Sequence, residues 1–437
     1  MRLILYSWSA NNEQVLADNL KKFGFELVIY DKPCKHYTRD LELASDMIPY
    51  IHAHNVEAVI SFNYFPMLSM ICNTCQIPYF SWVYDCPHFT LYAKQIMLPC
   101  NHVGIFDREM VKHLQGTYQV STVFHAPLAV DTEYFDKELR SAGERTLAQY
   151  ACDVSFVGSL YMDEHNYYDM LGVAENGSIA ASDSKAAGDN VAENGNAVSA
   201  SLDKMLEKQC FDYKQDYLRP AFVSGEIDMS VINDKMKEHG LMLGEDYFAN
   251  PEDILLAAVL EKKVTVEERR IILEKIAERD FVNLQHKDCP AKQDKDSAMQ
   301  SIFSFKLYTG SDTKSLPALD ACNHGTVDYH TQMPLVFAAS RINLNISLRS
   351  IHSGIPLRVL DIMACGGFVL SNWQPELAEY FTEGEELALF ESKEECLEKI
   401  AYYLAHEEKR KEIAAAGKRK VQELFSYEKG LERLFGV

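Results

Sequence analysis

The chain has 437 residues, long enough for more than one domain. Its composition, 47% hydrophobic and 24% charged, is that of an ordinary soluble globular protein. A formal net charge of −21 repels nucleic acid and anionic membrane, so neither is an expected partner, and any anionic ligand must be gripped by locally clustered cations.

No apolar run reaches the length of about 18 residues that a membrane span needs. The short run Arg2–Tyr6 lacks the length and cleavage site of a secretory signal. The expected location is therefore the cytoplasm. The 11 cysteines are an odd number scattered through the chain, and Cys72-Asn73-Thr74-Cys75 is the sole CxxC, with no second pair at zinc spacing. Free buried thiols are the expectation.

The first 135 residues alternate short apolar runs with helical periodicity. Strands are predicted at Arg2–Ser7, Glu26–Tyr30, Ala58–Phe62, Tyr79–Tyr84, Val103–Phe106 and Ser121–His125. Helices are predicted at Asn11–Phe23, stopped by Gly24, at Leu41–His54 with an apolar face at 41, 44, 48 and 51, and at Pro66–Cys75. Alternation of this kind implies a parallel sheet covered on both faces, with ligands beyond the carboxyl ends of its strands.

The pattern restarts with a strand over Asp153–Val157 and a small-residue turn, Gly158-Ser159. Residues 172–202 change character. Ala-Glu-Asn-Gly recurs at 174 and 192 among Ser, Ala, Gly and Asp, which reads as a low-complexity loop. Residues 203–300 read as a mainly helical insertion, with Thr265 as an N-cap before Val-Glu-Glu-Arg-Arg. Strands resume at Ile302–Tyr308, Ile342–Ile346 and Phe368–Ser371, and the helices Cys396–Ala405 and Glu408–Leu424 follow. The expected fold is α/β: two Rossmann-like, doubly wound domains facing a cleft, 1–148 and 149–437, the second carrying the insertion.

The most informative stretch runs from Arg341 to Asn372 and reads as strand, polar loop, helix, Gly-Gly turn, strand. Arg349 and Arg358 flank a loop of small residues, Ser350, Ser353 and Gly354, that opens a helix. Guanidinium groups beside a helix N-terminus suit a phosphate, and small residues let it approach the backbone. Asp361 sits in an otherwise apolar helix and needs a partner, either Arg358 by an i, i+3 pair or hydroxyl groups of a ligand. Gly366-Gly367 turns the helix back into the sheet. Glu376, after Pro375, is either a helix-start charge or a ligand contact. In the first domain Asp85 and His88 follow the fourth strand at the cleft edge, where either could act as a base, and His352 is a further candidate on the loop. Trp82, Tyr84 and Tyr92 are candidates for ring stacking, although aromatics at this density are usually core.

The segment Asn343–Phe368 resembles the C-terminal signature of CgeB-type glycosyltransferases, bacterial proteins of the two-domain GT-B fold. Ser81-Trp-Val-Tyr-Asp-Cys-Pro-His and Val154-Ser-Phe-Val-Gly-Ser-Leu-Tyr are similar to that family's other segments, and the likeness spans most of the chain except roughly 172–300. It implies a nucleotide-diphosphate-sugar donor on the second domain, near Gly158, Ser159, Arg349, Ser350, His352, Ser353, Gly354, Arg358, Asp361 and Glu376. The acceptor, a carbohydrate, protein or surface polymer, is implied on the first domain, near Asp85 and His88. Retaining GT-B enzymes carry two glutamates separated by seven residues. Here the pair falls on Ser353 and Asp361, so the second acid survives as aspartate and the first is lost.

The expected activity is transfer of a sugar from this donor to an acceptor hydroxyl. The segment holds no Asp-x-Asp pair suited to Mg²⁺, so metal-independent chemistry without a cofactor is expected, with arginines and helix amides stabilising the departing diphosphate. Two other readings fit the same residues: a GT-B nucleotide-sugar epimerase, which would need more carboxylates, and a non-catalytic sugar- or nucleotide-binding protein of a spore or surface assembly.

Overall fold

Short apolar strands separated by helical crossovers build two parallel sheets. The computed structural model describes residues 1–162, 166–170, 204–214, 234, 236–237, 243–248, 256–279 and 303–436. The first sheet contains β1 (Arg2–Tyr6), β2 (Glu26–Tyr30), β3 (Ala58–Phe62), β4 (Tyr79–Val83), β5 (Asn101–Ile105) and β6 (Val123–His125), in the order β2-β1-β3-β4-β5-β6. The second contains β7 (Cys152–Val157), β8 (Phe305–Tyr308), β9 (Ser340–Asn345), β10 (Val369–Asn372) and β11 (Ala388–Phe390), in the order β11-β10-β9-β7-β8. All pairings between these strands are parallel. Strands β3 and β4 are buried at every position, as expected when helices cover both faces of a parallel sheet.

In each sheet the chain leaves one strand toward one side and later returns to its other side. These reversals fall between β1 and β3 and between β7 and β9, and a crevice opens there beyond the carboxyl ends.

Several sequence expectations are revised. The low-complexity loop over 172–202 and much of the proposed insertion lie outside the described residues. The helix Lys262–Ala277, taken with the insertion, packs Ile272, Leu273 and Ile276 onto Val154, Phe156, Leu307 and Ile342. It is therefore the crossover between β7 and β8, because its apolar face completes that sheet's core. Thr265 is not an N-cap. The helix continues from a π-helical turn, Leu256–Glu261, and the Thr265 hydroxyl donates back to Glu261 O at 3.0 Å. The helix Leu41–Ala53 buries Leu43, Met47 and Ile51 and leaves Leu41 exposed. That stripe is bulkier than the expected one, which contains Ala44. Strand β11, Ala388–Phe390, has no counterpart in the strands expected from sequence.

The last helix, Tyr427–Phe435, lies on β4 and β5 of the first sheet although it follows the second in sequence. Val130 N–H donates to Phe425 O at 2.9 Å where the chain crosses back. Gly430 packs against the Trp82 ring so closely that no Cβ fits there. One apolar cluster therefore runs from Leu3 and Trp82 in the first domain to Val359, Leu360 and Leu434.

Candidate active site

The carboxyl edge of the second sheet holds a cavity of about 610 Å³. Gly158, Ser159 and Tyr161 from the end of β7, Thr309, Gly310 and Ser311 from the end of β8, and Thr326 and Val327 line it. The backbone is drawn in by side-chain hydroxyls: Leu160 N–H donates to Ser311 Oγ at 2.9 Å and Tyr161 N–H to Ser159 Oγ at 2.9 Å.

A buried guanidinium stands at the adjoining reversal point. Arg269 Nε and Nη2 donate to Ile346 O after β9 at 3.1 and 2.6 Å, and Nη1 donates to Ser159 O after β7. Its carbon lies 5.0 Å from the Tyr161 ring centre and 5.4 Å from that of Phe156. Arg269 is 8% exposed, and among the described residues no carboxylate pairs with it. Burial lowers its pKa, and the neighbouring Arg358 charge contributes in the same direction. The Lys262 ammonium lies 4.7 Å from the Tyr161 ring centre. Burial and the nearby Arg269 charge lower the Lys262 pKa. Both cations went unnoticed in sequence because the charged run looks like a solvated helix face. The available signal was spacing: positions 265, 269, 272 and 276 share the buried side of this helix.

Arg358 and Asp361 do meet, with Nη1 and Oδ2 3.9 Å apart. Asp361 is buried, and its Oδ1 accepts from the Tyr329 hydroxyl at 3.0 Å. Burial pushes its carboxyl up to about 7, moderated by Arg358 and Tyr329. Asn12 Nδ2 in turn donates to the Tyr329 oxygen at 3.1 Å, tying this corner to the first domain. Asp361 faces a void of about 10 Å³ beside Asn12, Tyr134 and Tyr427, not the large cavity.

Arg349 has a different setting from the one expected of a phosphate clamp. Its Nε lies 3.0 and 3.2 Å from the two Glu268 oxygens, Nη2 donates to Gln209 O at 2.6 Å and Asp212 O at 3.0 Å, and the guanidinium stacks 4.4 Å from the Tyr213 ring centre. Burial opposes its charge, but Glu268, with Tyr213 beside it, outweighs that, so the pKa is raised. The cation is already neutralised by the fold.

Ser350, His352, Ser353, Gly354 and Glu376 are brought together at the joint with the first domain. Asp107, the N-cap of the helix Arg108–Tyr118, accepts at Oδ2 from His352 N–H at 2.6 Å and from Ser353 N–H at 3.3 Å. Ser353 Oγ lies 2.9 Å from Asp107 Oδ1 and 2.7 Å from Glu376 Oε1, and its single proton can serve one of them at a time. Glu376 also accepts from Arg108 N–H at 3.1 Å and meets His125 Nε2 at 2.9 Å. His352 Nε2 lies 2.8 Å from Glu261 Oε1. Ser350 O accepts from Cys86 Sγ at 2.9 Å. Gly354 is pressed onto Phe106, where a Cβ would come within 2.7 Å of the ring. Bonds to the helix start of the opposite domain occupy the His352 and Ser353 amides and the Ser353 and Glu376 side chains, whereas Ser350 Oγ is buried without a hydrogen-bond partner among the described residues.

In the first domain Asp85 is exposed and accepts from Asn63 Nδ2 at 2.6 Å. His88 is more enclosed. Its Nε2 meets Tyr64 N–H at 3.1 Å and Thr90 Oγ1 at 2.7 Å, and burial lowers its pKa against the pull of Asp85. Trp82 and Tyr92 are core, 0% and 5% exposed. The ten described cysteines are free. Among the described residues no helix is long and apolar enough to cross a membrane.

Two facing parallel α/β domains, with the final helix returned to the first, define the GT-B class of fold. Solved structures share it across the whole chain. A glycosyltransferase from Rickettsia africae is 10% identical with a TM-score of 0.51, covering 100% of this chain and 97% of its own. The sucrose-phosphate synthase of Thermosynechococcus elongatus is 10% identical with a TM-score of 0.50, covering 100% and 98%. HepE of Anabaena, solved in complex with UDP-glucose, is 8% identical with a TM-score of 0.50, covering 100% and 98%. Residues 300–436 match the family model described as glycosyl transferase-like, and the protein is an enzyme of sugar transfer. No curated protein matches the chain.

Proposed function

We propose that the chain moves a sugar from a nucleotide-diphosphate donor, held at the carboxyl edge of the second sheet, to an acceptor hydroxyl presented by the first domain. Arg269 carries this reading. A guanidinium removed from water without a carboxylate is costly, and an anion arriving at the adjoining cavity offsets that cost. Its position at the reversal between β7 and β9 is where open α/β sheets bind ligands. As the bond from the sugar's anomeric carbon to the diphosphate oxygen breaks, negative charge grows on that oxygen. Arg269, Lys262 and Arg358 lie together on that side of the crevice and would stabilise it. Gly158 and Ser159 would bring backbone to the phosphates. Asp361, which faces the small void beside Asn12 and not the large cavity, would reach ribose hydroxyls only with the Tyr329 phenol that now donates to it moved aside.

On the opposite wall Asp85, the exposed carboxylate, is the group suited to take the acceptor proton. His88 would support it, with Nε2 already engaged. Ser350, His352, Ser353, Gly354 and Glu376 would act by holding the domains in register around the donor. Within the sugar-transferring enzymes, the motif residues Arg358 and Asp361 favour the CgeB-type group, and the free thiols favour a cytoplasmic setting. The clustered cations favour chemistry without a metal. Transfer assayed in EDTA is expected to keep its rate, and a loss restored by Mg²⁺ would overturn that part.

The test is calorimetric titration with UDP-, GDP-, TDP- and CDP-glucose, repeated on Arg358→Ala and Asp361→Asn. One nucleotide is expected to bind, with affinity reduced at least about tenfold in both folded variants, as for loss of one charged hydrogen bond. Unchanged affinity in both would remove the proposed donor site.

A further inference from the structure

The reversal point of the first sheet carries chemistry that the donor reading does not use. Trp8 follows β1, Phe65 follows β3 and Tyr37 follows β2, so their rings gather beyond the carboxyl ends of three neighbouring strands. The Phe65 ring centre lies 6.3 Å from that of Trp8 and 5.9 Å from that of Tyr37. Phe65 is buried beneath, whereas Trp8 is 39% and Tyr37 51% exposed.

This is a fixed platform and not a stray apolar surface. The indole N–H of Trp8 donates to Phe62 O at 2.9 Å, and Trp8 N–H donates to Glu13 at 2.8 Å. Ser9, next in the chain, holds φ +69°, and Asn63, after β3, holds φ +59°. Both loops thus adopt the left-handed conformation that is rare outside glycine and recurs at functional sites. Asn63 in turn fixes the exposed carboxylate of Asp85 at 2.6 Å, and the N–H of Tyr64, beside Phe65, meets His88. The cations of the β2 loop are already engaged, Lys32 and Lys35 with Glu42, and Arg39 with Asp246. The platform therefore offers aromatic faces and a carboxylate, and among the described residues the lysines and arginine of the β2 loop each already face an acid.

We propose that Trp8 and Tyr37 form a stacking platform for the acceptor, and that this acceptor is an uncharged carbohydrate. One face of a pyranose is a patch of C–H groups, which buries against an indole, while its hydroxyls at the rim reach a carboxylate such as Asp85. A phosphorylated acceptor would find, among the described residues of this loop, only cations that already face acids. The same loop continues to Asn12, whose amide reaches Tyr329 and through it Asp361, so the platform adjoins the donor side. The identification as an acceptor rests on the transfer reading above. The binding of carbohydrate does not.

The test is saturation-transfer NMR and titration of the whole chain with maltotriose, cellotriose, chitotriose and mannotriose, alongside UDP, GDP, TDP and CDP. At least one trisaccharide is expected to bind at millimolar concentration. Trp8→Ala should weaken it about tenfold and Trp8→Phe by less than about threefold, since a ring is retained, with nucleotide affinity unchanged in both. Failure of all four trisaccharides to bind, or binding indifferent to Trp8→Ala and Tyr37→Ala, would overturn the proposal. Trisaccharide binding without any nucleotide binding would instead sink the transferase reading and leave the platform standing.

Discussion

The two sheets share an architecture and differ in what stands at their reversal points. Around the reversal of the first sheet the molecule presents the rings of Trp8 and Tyr37, after β1 and β2, and the exposed carboxylate of Asp85, after β4. Beyond β7 and β9 it presents Arg269, with Lys262 and Arg358 nearby, at the edge of a cavity of about 610 Å³. The topology decides where a ligand can lie, and the side chains decide which chemistry is accepted. Within the second region the same contrast recurs on a smaller scale. Arg349 and Arg269 are both largely withdrawn from water, but Glu268 makes a close ion pair with the first and acts on the second only at longer range.

Removing the neutralising acid should give the largest effect. Glu268→Ala leaves Arg349 as an unpaired buried charge and is expected to lower unfolding free energy by about 3–5 kcal/mol in urea titration. A cost near zero would mean that the two arginines are equivalent after all. Arg269→Met removes the cation that Glu268 does not pair closely. The loss should appear as nucleotide affinity, by about 1.5–3 kcal/mol, and as disappearance of the nucleotide-induced rise in Tm. Retained affinity would erase the distinction between the two regions. Gly430→Ala probes whether the last helix keeps the two crevices in register. Forcing a methyl onto Trp82 should destabilise by about 1–3 kcal/mol and weaken transfer more than nucleotide binding.

The smallest effect is in pH dependence. Asp361 has its folded pKa raised to about 7, above the ordinary value of 3.8. The folded state keeps a proton that the unfolded state releases, so this group's contribution to stability is full below about pH 4 and is lost as pH rises through about 7. Donor affinity should move oppositely, because the carboxylate is the form that accepts ribose hydroxyls. It should rise roughly tenfold between pH 6 and 8 in the native protein, and stay flat in Asp361→Asn. A flat profile in both would show that Asp361 stays buried behind Tyr329 when nucleotide binds.

Much of this was legible in the chain itself. Runs such as Ala58–Phe62 and Tyr79–Val83 announce strands because a parallel sheet buried on both faces needs near-continuous apolar sequence, interrupted here by the small Ser61 and Ser81. The helix Leu357–Ala364 with one acid, turned by Gly366 at φ +76°, was likewise readable from composition and local stereochemistry. These features depend on neighbours in sequence, and they determined the two-domain α/β plan and singled out Arg358 and Asp361. The fate of each charge depends on residues far away. Arg349 is paired from 81 residues back by Glu268, and Ser353 is bonded across 246 residues to Asp107. The burial of Arg269 and the meeting of Trp8 with Phe65 also exist only once the sheets are closed. Coulomb energy and desolvation act through space, so only the tertiary structure could decide which cations remain available to a ligand and which the fold has already used.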